Sequence, residues 1–250
     1  ENNYVFLIIN GRISKEIELG ESLKNSVYST SIFDELQRFE EDKINPLGLF
    51  PITHGSGQKW YGDEFSNLRE KDYSDQFDFE GIDLSEPMRI KSEFISRSNA
   101  ITTYQICVDG NTFEQSLGSV RVGDVEAIHA RTAIIEESLQ PSIGNPQISI
   151  SYPQVASTSQ GWLDYIQLEF REDLFFSGKP FVFRDKKSLD YDISEFVIGG
   201  ALDEGIQVWN ITIPENPVRQ ELNSSRFSYE SNDELQSFTI FDSNGVFARP

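Results

Sequence analysis

The sequence predicts an all-β protein: an antiparallel β-sandwich, jelly-roll-like (galactose-binding-like), with an N-terminal hairpin annex. Three observations predict it. From residue 75 onward, apolar and polar residues alternate in short segments, the signature of half-buried strands. Each segment is bounded by Gly, Pro, Asn, Asp or Ser, which turn the chain at near-regular spacing. The composition also favours strands, with 19 Phe and 9 Tyr against a single Met.

The elements follow in order. Residues 4–9 (YVFLII), Asn10-Gly11 and the stretch RISKEIEL read as a hairpin around an Asn-Gly turn. Residues 31–43 (SIFDELQRFEEDK) are ambiguous: Ile32, Phe33, Leu36 and Phe39 fit a helix, in a segment that is short and without clear caps. Residues 46–62 form a Gly- and Pro-rich connection ending in aromatics. The strands then run FDFEGIDL, MRIKSEFIS, AITTYQICV, TFEQSL, AIHARTAII, QISISYP, GWLDYIQLEFRED (161–173), FVFRD, EFVIGG, IQVWNITIP, RFSYES and QSFTIFDS. No internal repeat, low-complexity tract or obvious linker divides them. The expected organisation is an annex over 1–30 and one sandwich over 31–250.

Charge excludes some function classes. With 41 acidic and 21 basic side chains the formal charge is −20. Phosphate binding needs clustered Lys and Arg, so nucleic acid is not an expected partner. The same excess argues against an anionic membrane surface, and no apolar run approaches a transmembrane span, so no membrane insertion is expected. One cysteine makes no internal disulfide and does not fix the compartment. Both ends of the chain look cut from something longer, so the missing signal peptide says nothing about location.

Few residues present themselves as chemistry. His54 and Cys107 sit in ITHGSG and YQICVDG, which mimic the two halves of a caspase- or gingipain-like cysteine peptidase site. Against that pairing, Pro51 interrupts the strand before His54, residues 62–100 offer no crossover helix, and Cys107 lies in a run that turns at Asp109-Gly110-Asn111. A buried cysteine there is an inert small hydrophobe. His129 is the only other histidine, so no His-rich metal cluster is expected. The loops DFEGIDLSE (78–86) and DEG (203–205) are candidates for calcium, with a solvated acidic loop the commoner outcome. No two carboxylates stand out as a glycosidase pair. Trp60, Tyr61 and Trp209 would form a sugar-stacking platform if exposed, although a Trp in a strand pattern is more often core. Asn210-Ile211-Thr212 and Asn223-Ser224-Ser225 match the glycosylation sequon, which has meaning only in a eukaryotic secretory host.

Asp164 is the misfit. Counting alternate positions places it on one face with Trp162, Ile166, Leu168 and Phe170. A carboxylate in an apolar row is costly unless paired. The expected role is structural: accepting backbone N–H groups, or pairing with Arg171 or Arg184 to fix strand register. No catalytic, cofactor-binding or metal-binding residue is assigned.

Five segments taken in order carry a resemblance: FEEDKIN (39–45), GQKWYGDEF (57–65), residues 161–184, IQVWNITIPENPV (206–218) and FTIFDSNGVFARP (238–250). Together they resemble the region ahead of the peptidase domain in the type IX secretion system sortases, the PorU family of C-terminal signal peptidases of Bacteroidetes. The resemblance covers most of the chain and is most specific at Trp-Tyr-Gly-acidic-x-Phe and Gly-Trp-Leu-Asp-Tyr-Ile. It implies a large secreted parent at the outer-membrane surface with a gingipain-like (C25) cysteine peptidase domain. Its catalytic His and Cys would lie beyond residue 250, so no catalytic position transfers here. It also implies a strand, not a helix, over 31–43. The implied partners are that peptidase domain, secretion-system outer-membrane proteins and exported cargo; no cofactor is implied.

The sequence therefore points to a non-catalytic β-sandwich region of a secreted, surface-located cysteine peptidase. The rival readings are a carbohydrate-binding sandwich and a small peptidase built on His54 and Cys107.

Overall fold

The computed structural model describes residues 17–46, 59–124, 126–231 and 233–245. In chain order the first strands are β1 (Glu18–Gly20), β2 (Tyr28–Thr30), β3 (Ile32–Glu40), β4 (Glu70–Asp72) and β5 (Met88–Arg97). Next come β6 (Thr102–Val108), β7 (Asn111–Leu117), β8 (Arg131–Leu139), β9 (Ile148–Ser151) and β10 (Gln160–Asp173). The last are β11 (Phe181–Arg184), β12 (Ile193–Val197), β13 (Ile206–Asn210), β14 (Val218–Gln220), β15 (Arg226–Glu230) and β16 (Ser237–Asp242). Two short 3₁₀ turns complete the regular structure, and no α-helix occurs among the described residues. The fold is all-β and mainly antiparallel, as the alternation predicts.

The chain divides into two compact units. One is Ile32–Asp173, and it is inserted into the other, whose described residues are 17–31 and 174–245. This differs from the single sandwich expected over 31–250. The division was invisible in the sequence because no linker marks it. Strands run to both boundaries, and the outer unit closes behind the insertion with a 2.7 Å hydrogen bond from Leu174 N–H to the Ser31 carbonyl.

The inserted unit is an antiparallel sandwich of a β3-β10-β5-β8 sheet and a β4-β9-β6-β7 sheet. Ile90 and Phe94 of β5, Ile135 of β8 and Ile166, Leu168 and Phe170 of β10 share one buried core with Tyr104, Ile106 and Val108 of β6 and Ile148 and Ile150 of β9. Each such side chain contributes roughly 1.5–3 kcal/mol by leaving water. β6 and β7 form the expected hairpin; Asp109 and Gly110 are its two loop residues, with φ of 50° and 74°. Both angles suit the twist of the paired strands.

Residues 32–40 are a strand, against their helical spacing. Nine consecutive pairs join β3 to β10, from Ile32 opposite Asp173 to Glu40 opposite Tyr165. The pairing directs Phe33 and Phe39 inward and leaves Leu36 exposed. Tertiary pairing thus overrides a weak local preference. FDFEGIDL departs in the other direction. It is a loop after a 3₁₀ turn (Ser74–Gln76), and Ile82 alone bridges to β10, at Glu172. The Asp78 and Asp83 carboxylates accept hydrogen bonds from the N–H groups of Glu80 and Ser85, and such local bonds compete with a ladder. The run IQVWNITIP likewise stops at Asn210, whose side-chain oxygen accepts from Thr212 N–H.

The outer unit holds a β1-β14-β13-β16-β11 sheet and a β15-β12-β2 sheet. Phe183 and Phe238 of the first pack on Phe196, Phe227 and Tyr229 of the second, with ring centroids 4.7–6.3 Å apart. β1 pairs in parallel with β14, and β2 in parallel with β12. Residues 18–30 therefore belong to this unit's sheets and are not a separate annex. The hairpin read over 4–11 lies outside the described residues.

β10 crosses the inserted core at a point where only glycine fits. A Cβ on Gly161 would lie 2.5 Å from the Phe94 ring. That ring cannot step aside, being held by Tyr104 at 4.8 Å, Tyr152 at 5.2 Å and Phe65 at 5.5 Å. Gly161→Ala is expected to cost about 1–3 kcal/mol through overpacking. An unchanged chemical-denaturation midpoint would contradict this packing.

Candidate functional site

The two most specific sequence motifs meet on β10. Residues 60–65 (WYGDEF) run antiparallel to its first residues: Gly62 N–H donates to the Leu163 carbonyl at 2.8 Å, and Leu163 N–H to Asp63 at 3.1 Å. Phe65 N–H donates to Gly161 at 2.8 Å, and Glu64 is bridged to Trp162. The segment thereby occupies the same edge of β10 that β3 leaves after Glu40. Its own entry is fixed by Ile44, which exchanges hydrogen bonds with Tyr61 at 2.8 and 3.0 Å.

Asp164 is the extra residue of a β-bulge. Leu163 opposes Phe94 and Tyr165 opposes Glu93, so the register shifts between them. A bulge reverses the alternation. Leu163 faces the main core, and so do Ile166, Leu168 and Phe170, while Trp162 packs on the other face with Tyr61 and Ile95. The single apolar stripe from Trp162 to Phe170 is therefore two half-stripes out of phase. Asp164 does not interrupt a core row; it marks where the row changes phase.

The carboxylate is buried and pairs with Lys59, whose Nζ lies 2.7 Å from Oδ2 and also binds Glu93. Neither expected arginine serves it. Arg171 pairs with Asp34 at 2.9 Å, and Arg184 lies on β11 of the outer unit. Burial works against the Lys59 charge, but its bonds to Asp164 and Glu93 prevail and hold its pKa above the usual lysine range. Asp164 is pushed upward, first by burial and then by Glu93 and Glu40, with Lys59 opposing. The two upward shifts are compatible because one ammonium serves two carboxylates, so lysine keeps its proton while one acid is undercompensated.

A second knot holds the motif from the other side. Asp63 accepts from Lys43 Nζ and Tyr73 Oη, each at 2.8 Å, and from Lys71. Burial opposes its charge, yet these donors keep its pKa below the usual carboxylate range. Sequence reading missed Lys59, Glu93 and Asp63. The available signals were the three-residue step from Leu163 to Ile166 and the lysine beside the Trp-Tyr-Gly motif.

The other candidates do not assemble. Cys107 is half-buried on β6, opposite Thr112 and Ser149, beside a shallow depression lined by Lys71, Asp72 and Gln147. His54 lies outside the described residues. His129 is held below its usual pKa by burial and by Arg97, the signature of a neutral, partly buried imidazole. Among the described residues no group of three His, Cys, Asp or Glu is placed to hold a metal, in 78–86 or 203–205 or elsewhere. Trp60 is 46% exposed, but Tyr61 is buried. Trp209 packs on Phe241 at 5.2 Å and donates to Gln207. Of the three aromatics Trp60 is the most exposed.

No protein-family model matches the chain, and no curated protein does. Among solved structures, dimeric latent PorU from Porphyromonas gingivalis matches with a TM-score of 0.70 at 16% identity, over 91% of this chain and 22% of that one. The fold over that span is PorU-like. At this identity the likeness is one of fold, and the chain corresponds to less than a quarter of the PorU chain. The insecticidal delta-endotoxin Cry8Ea1 from Bacillus thuringiensis matches at a TM-score of 0.26 and 16% identity, over 34% of this chain and 16% of that one. The carbohydrate-binding module CBM36, in complex with calcium and xylotriose, matches at 0.24 and 11% identity, over 44% of this chain and 76% of that one. Scores this low carry no functional argument.

Lys59→Met leaves Asp164 and Glu93 facing each other without their shared cation. Lys59 is 41% exposed, so solvent softens the loss, and the expected destabilisation is roughly 1–2 kcal/mol. Asp164→Asn in the same chain should recover most of it. Additive losses in a double-mutant cycle would refute the pairing.

Proposed function

We propose that this chain is a non-catalytic β-sandwich region of a secreted or outer-membrane-surface cysteine peptidase, similar to the type IX secretion sortases. In this reading it packs against the peptidase domain, or docks cargo or secretion-system partners, and the catalytic His and Cys lie outside residues 1–250. The observation that carries the proposal is the PorU likeness over nine-tenths of the chain. Supporting it, the two motifs that suggest the family from sequence are also the two that pack against each other on β10.

The site residues accord with a scaffold. Lys59, Asp63, Glu93 and Asp164 spend their charges on one another and on neighbouring strands, so none is poised at a cleft as an acid or base. Cys107 is paired on both sides, with Thr112 of β7 and Ser149 of β9.

The purified chain is expected to leave a C-terminal sorting-domain peptide intact, and to bind a separately produced C25-type peptidase domain from the same kind of protein in a pull-down. Hydrolysis of the peptide that disappears in Cys107→Ala would overturn the non-catalytic assignment.

A further inference from the structure

The core row on β10 ends in a carboxyl group. Ile166, Leu168 and Phe170 point inward, and the same alternation brings Glu172 to the inner face, opposite the buried Phe33 of β3. Glu172 is half-buried, and burial is the main reason its pKa is pushed up to about 8. The carboxylates of Glu35 on β3, Asp78 and Glu80 on the 78–86 loop, and Asp173 on β10 add repulsion. Asp83 of the same loop is turned to Ser85, and Arg171, the neighbouring cation on β10, is paired with Asp34.

The residue that carries this carboxyl lies within the backbone attachment of a loop. Residues 81–83 add to the end of β10 as a minimal strand. Asp83 N–H donates to the Arg171 carbonyl and Asp173 N–H to the Gly81 carbonyl, each at 2.8 Å, while Ile82 bridges to Glu172 and is buried in the core. The two hydrogen bonds bracket Glu172. Asp78 and Glu80 of the same loop are among the acids that repel its charge, so ionisation of Glu172 acts on the loop that these bonds hold.

We propose that residues 78–86 form a proton-controlled latch, docked along the end of β10 while Glu172 carries its proton and loosened when Glu172 ionises. The docked form binds a proton more tightly than the undocked form, in which the repulsion from Asp78 and Glu80 and the burial under the loop are relieved. Docking is therefore strongest in acid and weakens as pH rises to about 8.

Hydrogen exchange on the whole chain, corrected for the chemical exchange rate, tests this. Between about pH 6 and about pH 9, amides of 80–86 and 171–173 should lose protection by at least about tenfold, while β6 amides hold theirs. Glu172→Gln should abolish the pH dependence and keep the loop protected throughout. Should that variant fail to fold, Glu80→Gln, at an exposed loop position, must lower protection less at the higher pH than the parent chain does. Equal pH dependence in parent and variant would overturn the latch. So would protection that acid does not restore but added calcium does.

Discussion

One inserted residue on β10 organises the larger unit. β10 is the longest strand among the described residues, 14 residues, and pairs with β5 along one edge and with both β3 and the Trp-Tyr-Gly segment along the other. A uniform alternation would send Trp162 and Ile166 to the same face. The bulge at Asp164 divides the strand into two phases, so that Trp162 closes a small cluster with Tyr61 and Ile95 while Ile166 onward fills the main core. The extra residue carries a carboxylate because it emerges beside Glu93 and Lys59, and the shared lysine pins the bulge in place. Gly161, one step before Trp162, lets the backbone pass the Phe94 ring at a distance no side chain would allow.

The same residues explain how a chain of net charge −20 forms compact sandwiches. Inside the inserted unit several buried or half-buried carboxylates are given partners: Asp63 has three donors, Asp164 a lysine and Asp34 an arginine, while Glu172 stands among other acids. Loop acids such as Asp78 and Asp83 cap their own turns.

Much of this was legible in the residues. The period-two runs located β5 to β10 and most later strands, and Asp109-Gly110 announced its hairpin. The two motifs flagged the segments that turn out to touch. Other features had no local signature. β1, β2, β4 and β14 are three residues each, too short for periodicity to register. Residues 32–40 have helical spacing and become a strand only because β10 pairs with them. The boundaries of the inserted unit fall within continuous β structure, so no compositional change betrays them. At the site, the residues suggest backbone N–H groups or an arginine on its own or a later strand as the partner of Asp164, whereas the partner is Lys59. Lys59 is more than a hundred residues away in sequence, and only the folded sheet brings it near.

The central claim is that Asp164 is a register-setting bulge residue. Cross-strand nuclear Overhauser contacts between β5 and β10 in the labelled protein test it most directly. The account predicts contacts of Leu163 with Phe94 and of Tyr165 with Glu93, with Asp164 left unopposed. A continuous register that sets Asp164 opposite Phe94 and brings Trp162 to the face of Ile166 would contradict it.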